Sequence, residues 1–180
     1  MSDEALLQRL RDPETVNAAF RELVKRYQEK IYWLVRRMVL NHEDADDLVQ
    51  NIFLKVYTNL HAFKGASSLY TWIYRIAVNE VFSHLKSMRK NVFVSYDTVS
   101  AKLENTLRYD PGISADLIQE RFQKAMLKLP PKQRLVFQMK YYESDLTFEK
   151  MSDILDTSSG ALKASYHQAV KKIEKMMLDD

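Results

Sequence analysis

Apolar residues recur along most of the chain at steps of three and four, a spacing that is typical of amphipathic helices. The first such stretch covers residues 14–39, and a cleaner one follows a break at residues 41–42 and covers residues 45–60. Residues 61–70, with a glycine and a serine pair, interrupt the pattern before a third stretch at residues 71–90. The pattern therefore predicts three helices and a loop, with the second helix antiparallel to the first.

Helical spacing returns in the second half of the chain after a lapse. Residues 91–112 have no regular apolar period and end in the turn sequence Asp110-Pro111-Gly112, so we predict a flexible linker there. Four helices are predicted beyond it: residues 113–129, a helix that starts at Pro131, a short helix capped by Thr147 that ends at Leu155, and a last helix over residues 159–177.

These elements indicate an all-α fold of two small helical domains joined by the linker. With 3 Gly and 4 Pro in 180 residues the chain has few turn-forming positions, and no alternating strand pattern bounded by turn residues stands out. Its hydrophobic content of 46% is enough to form real cores. We place the first domain at residues 1–90, the linker at 91–112 and the second domain at 113–180.

Composition narrows the protein class further. The absence of cysteine excludes disulfides and thiolate metal sites and fits a reducing compartment. The first residues lack an export signal, and no run approaches the ~18 apolar residues of a membrane helix, so we expect a cytoplasmic protein without membrane insertion. The net charge of +3 is small, but the charges are unevenly distributed along the chain. Residues 43–47 include four acids and no base, while basic residues cluster at 86–90 and 163–175.

Three interpretations of the acidic stretch 43–47 compete: a metal or acid/base site, a plain helix start, and a surface for a basic partner. Carboxylates in a first helical turn gain ~0.3–1 kcal/mol from the helix dipole, which explains one or two acids but not four that repel one another. A metal site is disfavoured because the histidines are dispersed and no Glu-x-x-His pair lies on this helix. We predict a partner surface, and no catalytic residue, metal or cofactor.

Two short helices joined by a tight turn, the second with a row of polar and basic residues, are typical of a helix-turn-helix DNA-binding domain. The second helix would read base edges in the major groove, with later lysines against phosphates. The candidates for base contacts are Ser159, Ala161, Lys163, Ala164 and His167, and those for phosphate contacts are Lys171, Lys172 and Lys175. Taken alone, the same stretch also fits a solvated amphipathic helix at the end of a bundle.

Several blocks of the sequence resemble the extracytoplasmic-function (ECF) sigma factors. They are DADDLVQ at residues 44–50 with Phe53 and Tyr57, residues 63–65, residues 70–79 and, in the second domain, residues 129–134 and 147–172. The helix-turn-helix of two-component response regulators has a similar rhythm. Such a regulator, however, begins with alternating strands and helices, which this chain lacks.

The resemblance implies that the chain binds core RNA polymerase, directs it to particular promoters and helps to open the duplex, without catalysing a reaction itself. It also implies that the acid-rich helix docks on a coiled coil of the largest polymerase subunit, while Leu48, Ile52 and Phe53 hold this helix to its own domain. The implied docking residues are Asp44, Asp46, Asp47, Gln50 and Asn51.

The resemblance also places promoter DNA on both domains. The loop at 61–70 and the third helix would bind the minus-ten element, where an extruded base needs a stacking or hydrogen-bonding pocket. The candidates are Phe63, Lys64, Ser67, Ser68, Tyr70 and Asn79 for the base, and Arg75, Lys86, Arg89 and Lys90 for phosphates. Trp72 is expected in the core. The last helix would read the minus-thirty-five element.

Four positions depart from the family pattern. Asn51, Ser83 and Ser165 stand where charged residues are usual, and Asp156 stands where glycine is usual in the turn, so we expect an unfavourable backbone angle there. Two rival functions stay open at this stage: a DNA-binding regulator that does not join polymerase, and a helical adaptor that binds only proteins. An anti-sigma factor is an expected further partner, since such inhibitors are frequent in the family.

Overall fold

The computed structural model describes residues 2–39, 42–91 and 117–178, and within these ranges the side chains of all residues except 89–91 and 117–120. This part of the chain consists of helices and short turns and contains no strand, so the all-α prediction is confirmed. None of its helices is long and apolar enough to span a membrane. The chain separates into two compact units, Met1–His84 and Leu85–Asp180. The predicted linker, apart from Asn91, lies outside the described residues.

The first group of helices has one member that the sequence pattern does not predict. The helices are α1 (Asp3–Arg11), α2 (Val16–Val39), α3 (His42–Thr58) and α4 (Leu69–Asn91), with a 3-10 turn at Leu60–Ala62. The expectation of three helices is therefore wrong. The extra helix α1 packs against α2 and buries Leu6 and Leu10, and the Ser2 hydroxyl caps it by accepting a hydrogen bond from the Ala5 N–H at 3.3 Å.

Polar contacts join α1 to α2. Asp3 Oδ1 lies 2.6 Å from a guanidinium nitrogen of Arg26, beside Tyr27. Burial, together with the Asp3 carboxylate, raises the pKa of the Tyr27 phenol. In the turn between the helices, the Asp12 carboxylate accepts a hydrogen bond from the Glu14 N–H at 2.9 Å. Because residues 12–15 form this turn, α2 begins at Val16 rather than at residue 14.

Most of the core of the first unit lies where the apolar stripes predict it, although Tyr57 of the predicted α3 stripe is 41% exposed. The helices α2 and α3 pack against each other and α3 is almost entirely apolar on its inner side. The buried residues of the two stripes are Leu23, Tyr27, Ile31, Leu34, Val35 and Met38 on α2 and Ala45, Leu48, Ile52, Phe53 and Val56 on α3. On α4, Ile73, Ala77 and Val81 are buried as predicted, whereas Ile76 and Leu85 are only half-buried.

The second unit is built around its last helix. The helices are α5 (Leu117–Leu127), α6 (Pro131–Tyr142), α7 (Phe148–Leu155) and α8 (Ser159–Leu178), and α8 packs against each of the other three. One core cluster consists of Ala125, Met126, Leu129, Phe137, Ala169 and Ile173. The residues of α6 that are predicted to point inward, Leu135, Val136 and Met139, are all buried. Burying α8 on one side fixes which of its side chains reach solvent.

The helices α7 and α8 form the predicted helix-turn-helix. The Thr147 hydroxyl caps α7 by accepting a hydrogen bond from the Lys150 N–H at 3.2 Å, and Ser158 Oγ accepts one from the Ala161 N–H at 3.3 Å at the start of α8. Asp156, in the turn, has φ 48° and ψ 46°, which is the left-handed region. The expected unfavourable backbone angle at Asp156 is confirmed.

Replacing Asp156 by glycine should raise the free energy of unfolding of the second unit by about 0.5 kcal/mol. The left-handed conformation costs a residue with a Cβ ~1–2 kcal/mol, and the greater chain entropy of unfolded glycine, ~0.5–1 kcal/mol, cancels part of the gain. Asp156→Asn is the control, because asparagine tolerates the same region and should change stability little. Urea unfolding followed by circular dichroism measures the difference. A less stable glycine variant would contradict the expected relief of strain.

Candidate functional site

The helix α3 presents a polar and acidic face to solvent. Its apolar side is buried, including Leu48, Ile52 and Phe53, which confirms that these three residues hold the helix to its unit. The opposite side, called the acidic face here, exposes Asp46, Asp47, Gln50 and Asn51. Within the described residues, neither Asp46 nor Asp47 has an ion-pair partner. The described side chains also include no group of three or more histidines or acids that could hold a metal ion.

Asp44 differs from the other acids of the predicted docking set. It is half-buried, and its Oδ2 atom lies 3.9 Å from Nε2 of His84 on α4. An ion pair between Lys55 Nζ and Glu80 Oε1, at 2.5 Å, joins the same two helices. Asp44 therefore points toward α4, at the edge of the acidic face.

The acidic face also carries one exposed apolar residue to which the sequence pattern assigns no role. Leu54 is 61% exposed, and it follows Asp47 by seven residues and Gln50 by four, so it lies on the same side of α3. The sequence does indicate that Leu54 is exposed, because this residue falls outside the apolar stripe of α3. A large apolar side chain surrounded by polar and acidic neighbours is typical of a protein-binding surface.

Phe63, in the loop between α3 and α4, is buried rather than accessible to a ligand. It is 7% exposed, and its ring centroid lies 4.9 Å from that of Trp72. Trp72, which is expected in the core, is half-buried. The aromatic pair holds the loop against α4, so the assignment of Phe63 to a base-binding pocket does not agree with its position.

The rest of this loop carries polar side chains up to the start of α4. Ser68 Oγ accepts a hydrogen bond from the Thr71 N–H at 3.1 Å and donates one to Thr71 Oγ1 at 2.9 Å, so it caps the helix. Gly65 has φ 78°, a conformation that favours glycine. Lys64 and Ser68 are exposed, and Ser67 is half-buried.

The predicted minus-ten residues on α4 lie on two sides of the helix. Arg75, Asn79 and Lys86 are exposed and follow one another at four- and seven-residue steps, so they share a face. Tyr70 lies on another side, where its ring stacks on Tyr74 at 4.2 Å between centroids. The side chains of Arg89 and Lys90 are outside those described.

The helix α8 turns its predicted reading residues outward. Leu162, Ala169 and Ile173 are buried, and the opposite side exposes Lys163, Ala164, His167 and Lys171, with Ser159 half-buried in the first turn. The exposed side of α8 therefore has the arrangement of side chains that is typical of a recognition helix. Ala161 and Lys172 are also exposed but lie toward a neighbouring side of the helix.

Two lysines of α8 have partners within the second unit. Lys163 Nζ lies 3.9 Å from a carboxylate oxygen of Glu149 and 5.9 Å from the centroid of the Phe148 ring, both in the first turn of α7. Hydrogen bonds from the backbone N–H of Glu149 itself and from the Thr147 hydroxyl hold the pKa of the Glu149 carboxyl below its usual value. Lys172 Nζ donates a hydrogen bond to Gln133 Oε1 on α6 at 2.8 Å.

Comparison with known proteins shows the family to which the chain belongs. Residues 23–91 match the family model described as Sigma-70 region 2, and residues 119–173 match that described as Sigma-70, region 4. The ECF RNA polymerase sigma factor SigW of Bacillus subtilis is 28% identical over 170 residues, which are 89% of this chain and 90% of the relative. The chain belongs to the ECF family of sigma factors. It is therefore a transcription initiation factor whose partners are core RNA polymerase and promoter DNA.

Further relatives and solved structures are similar to this ECF sigma factor along most of its length. The ECF RNA polymerase sigma-E factor of Escherichia coli K12 is 29% identical over 187 residues, covering 97% of this chain and 93% of the relative. The fold is similar to that of the sigma factor RpoE of Bartonella quintana, solved in complex with the anti-sigma factor NepR, with a TM-score of 0.69, 20% identity and coverage of 89% and 98% of the two chains. It is also similar to CnrH, solved in complex with the cytosolic domain of CnrY, with a TM-score of 0.68, 18% identity and coverage of 99% and 98%. SigW, the sigma-E factor and RpoE are sigma factors, and sigma factors are not enzymes.

Proposed function

We propose a residue-level division of labour for this sigma factor. The acidic face of α3 docks on core RNA polymerase, the loop at 63–68 and α4 bind and help to melt the minus-ten element, and α8 reads the minus-thirty-five element. The observation that carries this proposal is the exposure of opposite charges on separate helices, with acids on α3 and bases on α4 and α8. The protein would work in the cytoplasm and catalyse no reaction itself.

The docking surface is centred on Asp46, Asp47, Gln50 and Asn51. Unpaired exposed carboxylates attract a basic partner and disfavour the phosphates of DNA, so this face suits polymerase rather than promoter. Asp44 lies at the edge, since its carboxylate is directed toward His84. Asn51, which replaces an acid that is usual in the family, contributes hydrogen bonds rather than charge.

Leu54 supplies an apolar anchor for the same surface. Interface energy concentrates in a few residues that a rim of polar side chains shields from water, and Leu54 has this arrangement. Replacing Leu54 by alanine should weaken core binding about tenfold, while the unfolding free energy changes by no more than about 0.5 kcal/mol because the side chain is already exposed. Met88→Ala, which removes an exposed apolar side chain of α4, is the comparison variant and should leave core binding unchanged. Equal core binding of the Leu54 variant and the wild type would remove Leu54 from the interface.

The minus-ten surface combines a loop and two sides of α4. Lys64, Ser67, Ser68 and Tyr70 are the candidates for contacts with an extruded base, while Phe63 packs against Trp72 and supports the loop. Arg75, Asn79 and Lys86 form a polar and basic row that suits the adjoining duplex, with Arg89 and Lys90 as further candidates for phosphates. Extruding a base costs a few kcal/mol, which contacts of this kind offset.

The minus-thirty-five surface is the exposed side of α8. Ser159, Lys163, Ala164 and His167 lie in its first half and are the candidates for base edges, whereas Lys171 lies nearer the phosphates. Ala161 and Lys172 are candidates at the border of this surface. An anti-sigma factor is a further partner that we propose, because the sigma factor RpoE, whose fold is similar, was solved in complex with the anti-sigma factor NepR.

Reconstitution with purified bacterial core polymerase tests the proposed function. The expected result is a stable complex that initiates transcription at promoters whose transcripts depend on this sigma factor in cells. Binding to polymerase without specific initiation would favour an adaptor, and DNA binding without polymerase would favour a separate regulator. Either result would overturn the proposal.

A further inference from the structure

The helix α2 exposes a large aromatic side chain between two cations. Trp33 is 44% exposed, although its neighbours Leu34 and Val35 are buried in the core. Lys30, Trp33 and Arg37 follow one another at three- and four-residue steps, so they lie on one side of α2. The guanidinium carbon of Arg37 lies 5.6 Å from the centroid of the Trp33 ring. We call these three residues the α2 stripe.

The α2 stripe adjoins the proposed minus-ten surface. Lys30 Nζ lies 5.6 Å from the centroid of the Tyr70 ring, and Tyr70 is in the first turn of α4, directly after the loop at 63–68. The side of α4 that carries Tyr70 therefore continues onto α2 through Lys30. Neither the family resemblance nor the sequence pattern assigns a role to the stripe.

We propose that the α2 stripe binds single-stranded promoter DNA that continues from the minus-ten element. Sites for single strands combine cations that hold phosphates with aromatic rings on which bases stack, and the order cation, indole, cation along one helix provides both. Lys30 and Arg37 are seven residues apart, about 10 Å along the helix axis, which matches roughly three stacked nucleotides. This inference rests on the proposed minus-ten function.

A protein partner is the other class of ligand that an exposed tryptophan and arginine could bind. The observations favour nucleic acid for two reasons. Both charged members of the stripe are cations, and the stripe adjoins Tyr70 of the minus-ten surface rather than the acidic face of α3. We therefore assign the stripe to the melted strand, and protein docking becomes an outcome of the test.

Strand binding by the holoenzyme tests the assignment. The probe is a fluorescently labelled oligonucleotide of the nontemplate strand, covering the minus-ten region and both flanks of a promoter that this sigma factor uses, and its anisotropy is titrated with holoenzyme. Trp33→Ala should lower the affinity about 5- to 100-fold, the range expected for losing one base stack, whereas Trp33→Phe should retain most of it. Lys30→Ala should reduce the slope of log affinity against log salt by ~0.7.

Lys25→Ala is the matched control for Lys30→Ala, because Lys25 is exposed on another side of α2 and should leave the salt slope unchanged. Wild-type strand affinity of both the Trp33→Ala and the Lys30→Ala holoenzymes would overturn the assignment. So would a Trp33→Ala variant that binds core polymerase more weakly but binds the strand normally. If Trp33→Ala misfolds by circular dichroism, the salt slopes of Lys30→Ala and Lys25→Ala decide.

Variants of the loop and α4 separate this inference from the proposed function on which it rests. If Lys64→Ala and Arg75→Ala weaken strand binding while the α2 variants do not, only the inference about the stripe fails. If none of these variants weakens strand binding, the assignment of the minus-ten surface fails with it.

Discussion

Reversing the charges of Asp46 and Asp47 to lysine should lower the affinity of the sigma factor for core RNA polymerase by about 100-fold or more. Like charges brought together at an interface cost several kcal/mol, and a loss of ~3 kcal/mol corresponds to about 100-fold. Both side chains are exposed and lie beyond the first turn of α3, so helical content should not change. The measurement is a titration of labelled core polymerase at two salt concentrations, and the difference from wild type should shrink as salt rises.

The control for this experiment is the double variant Glu14→Lys and Glu29→Lys. These two exposed acids belong to the same unit but lie in the turn before α2 and on α2, outside the first turn of a helix. The control changes the net charge by the same amount, so it separates a local docking effect from general attraction to polymerase. Equal affinities of the Asp46/Asp47 variant and the wild type would move the docking surface away from α3.

Replacing Lys163 and Lys171 by alanine should reduce initiation at promoters with an upstream element by about 10- to 100-fold. A good base contact contributes ~1–3 kcal/mol of discrimination, and each phosphate contact that is lost reduces the dependence of log affinity on log salt by ~0.9. Run-off transcription measures initiation, and core binding should be unaffected. On a template whose upstream element has been replaced by unrelated sequence, wild type and variant should initiate equally.

The matched control is the variant Arg21→Ala and Lys25→Ala, which removes two exposed cations from α2 in the other unit. Its transcription should equal that of the wild type on both templates. If the Lys163/Lys171 variant also initiates normally at every dependent promoter, α8 is not the reader of the upstream element.

Much of the fold can be predicted from sequence because long helices repeat their apolar spacing many times. The stripe of α3 and that of α8 are regular, so both the buried side and the exposed side follow from the pattern. The short helix α1 offers only Leu6 and Leu10 to the core, and an ion pair between Asp3 and Arg26 joins it to α2. Tertiary contacts of this kind have no periodic signal in the sequence.

The candidate sites show the same limit at the level of single side chains. A resemblance places Phe63 and Tyr70 in a promoter-binding segment, but it does not say which way each ring points. The pairing of Phe63 with Trp72 depends on how the loop returns to α4, and that is a property of the folded unit. Leu54 and Trp33 fall outside the predicted apolar stripes, so their exposure agrees with the pattern, but nothing in the sequence assigns either of them a contact.

With α8 as the proposed reading helix, the contact between Glu149 and Lys163 affects how long this sigma factor stays at each site of a genome. On random DNA, Glu149 competes with phosphate for the lysine and repels the phosphate itself, so each chance encounter of α8 should be brief. At a correct promoter, base contacts would add enough binding free energy to exceed the effect of this competition. Short visits to wrong sites matter because a chromosome offers about a million or more of them for each true one.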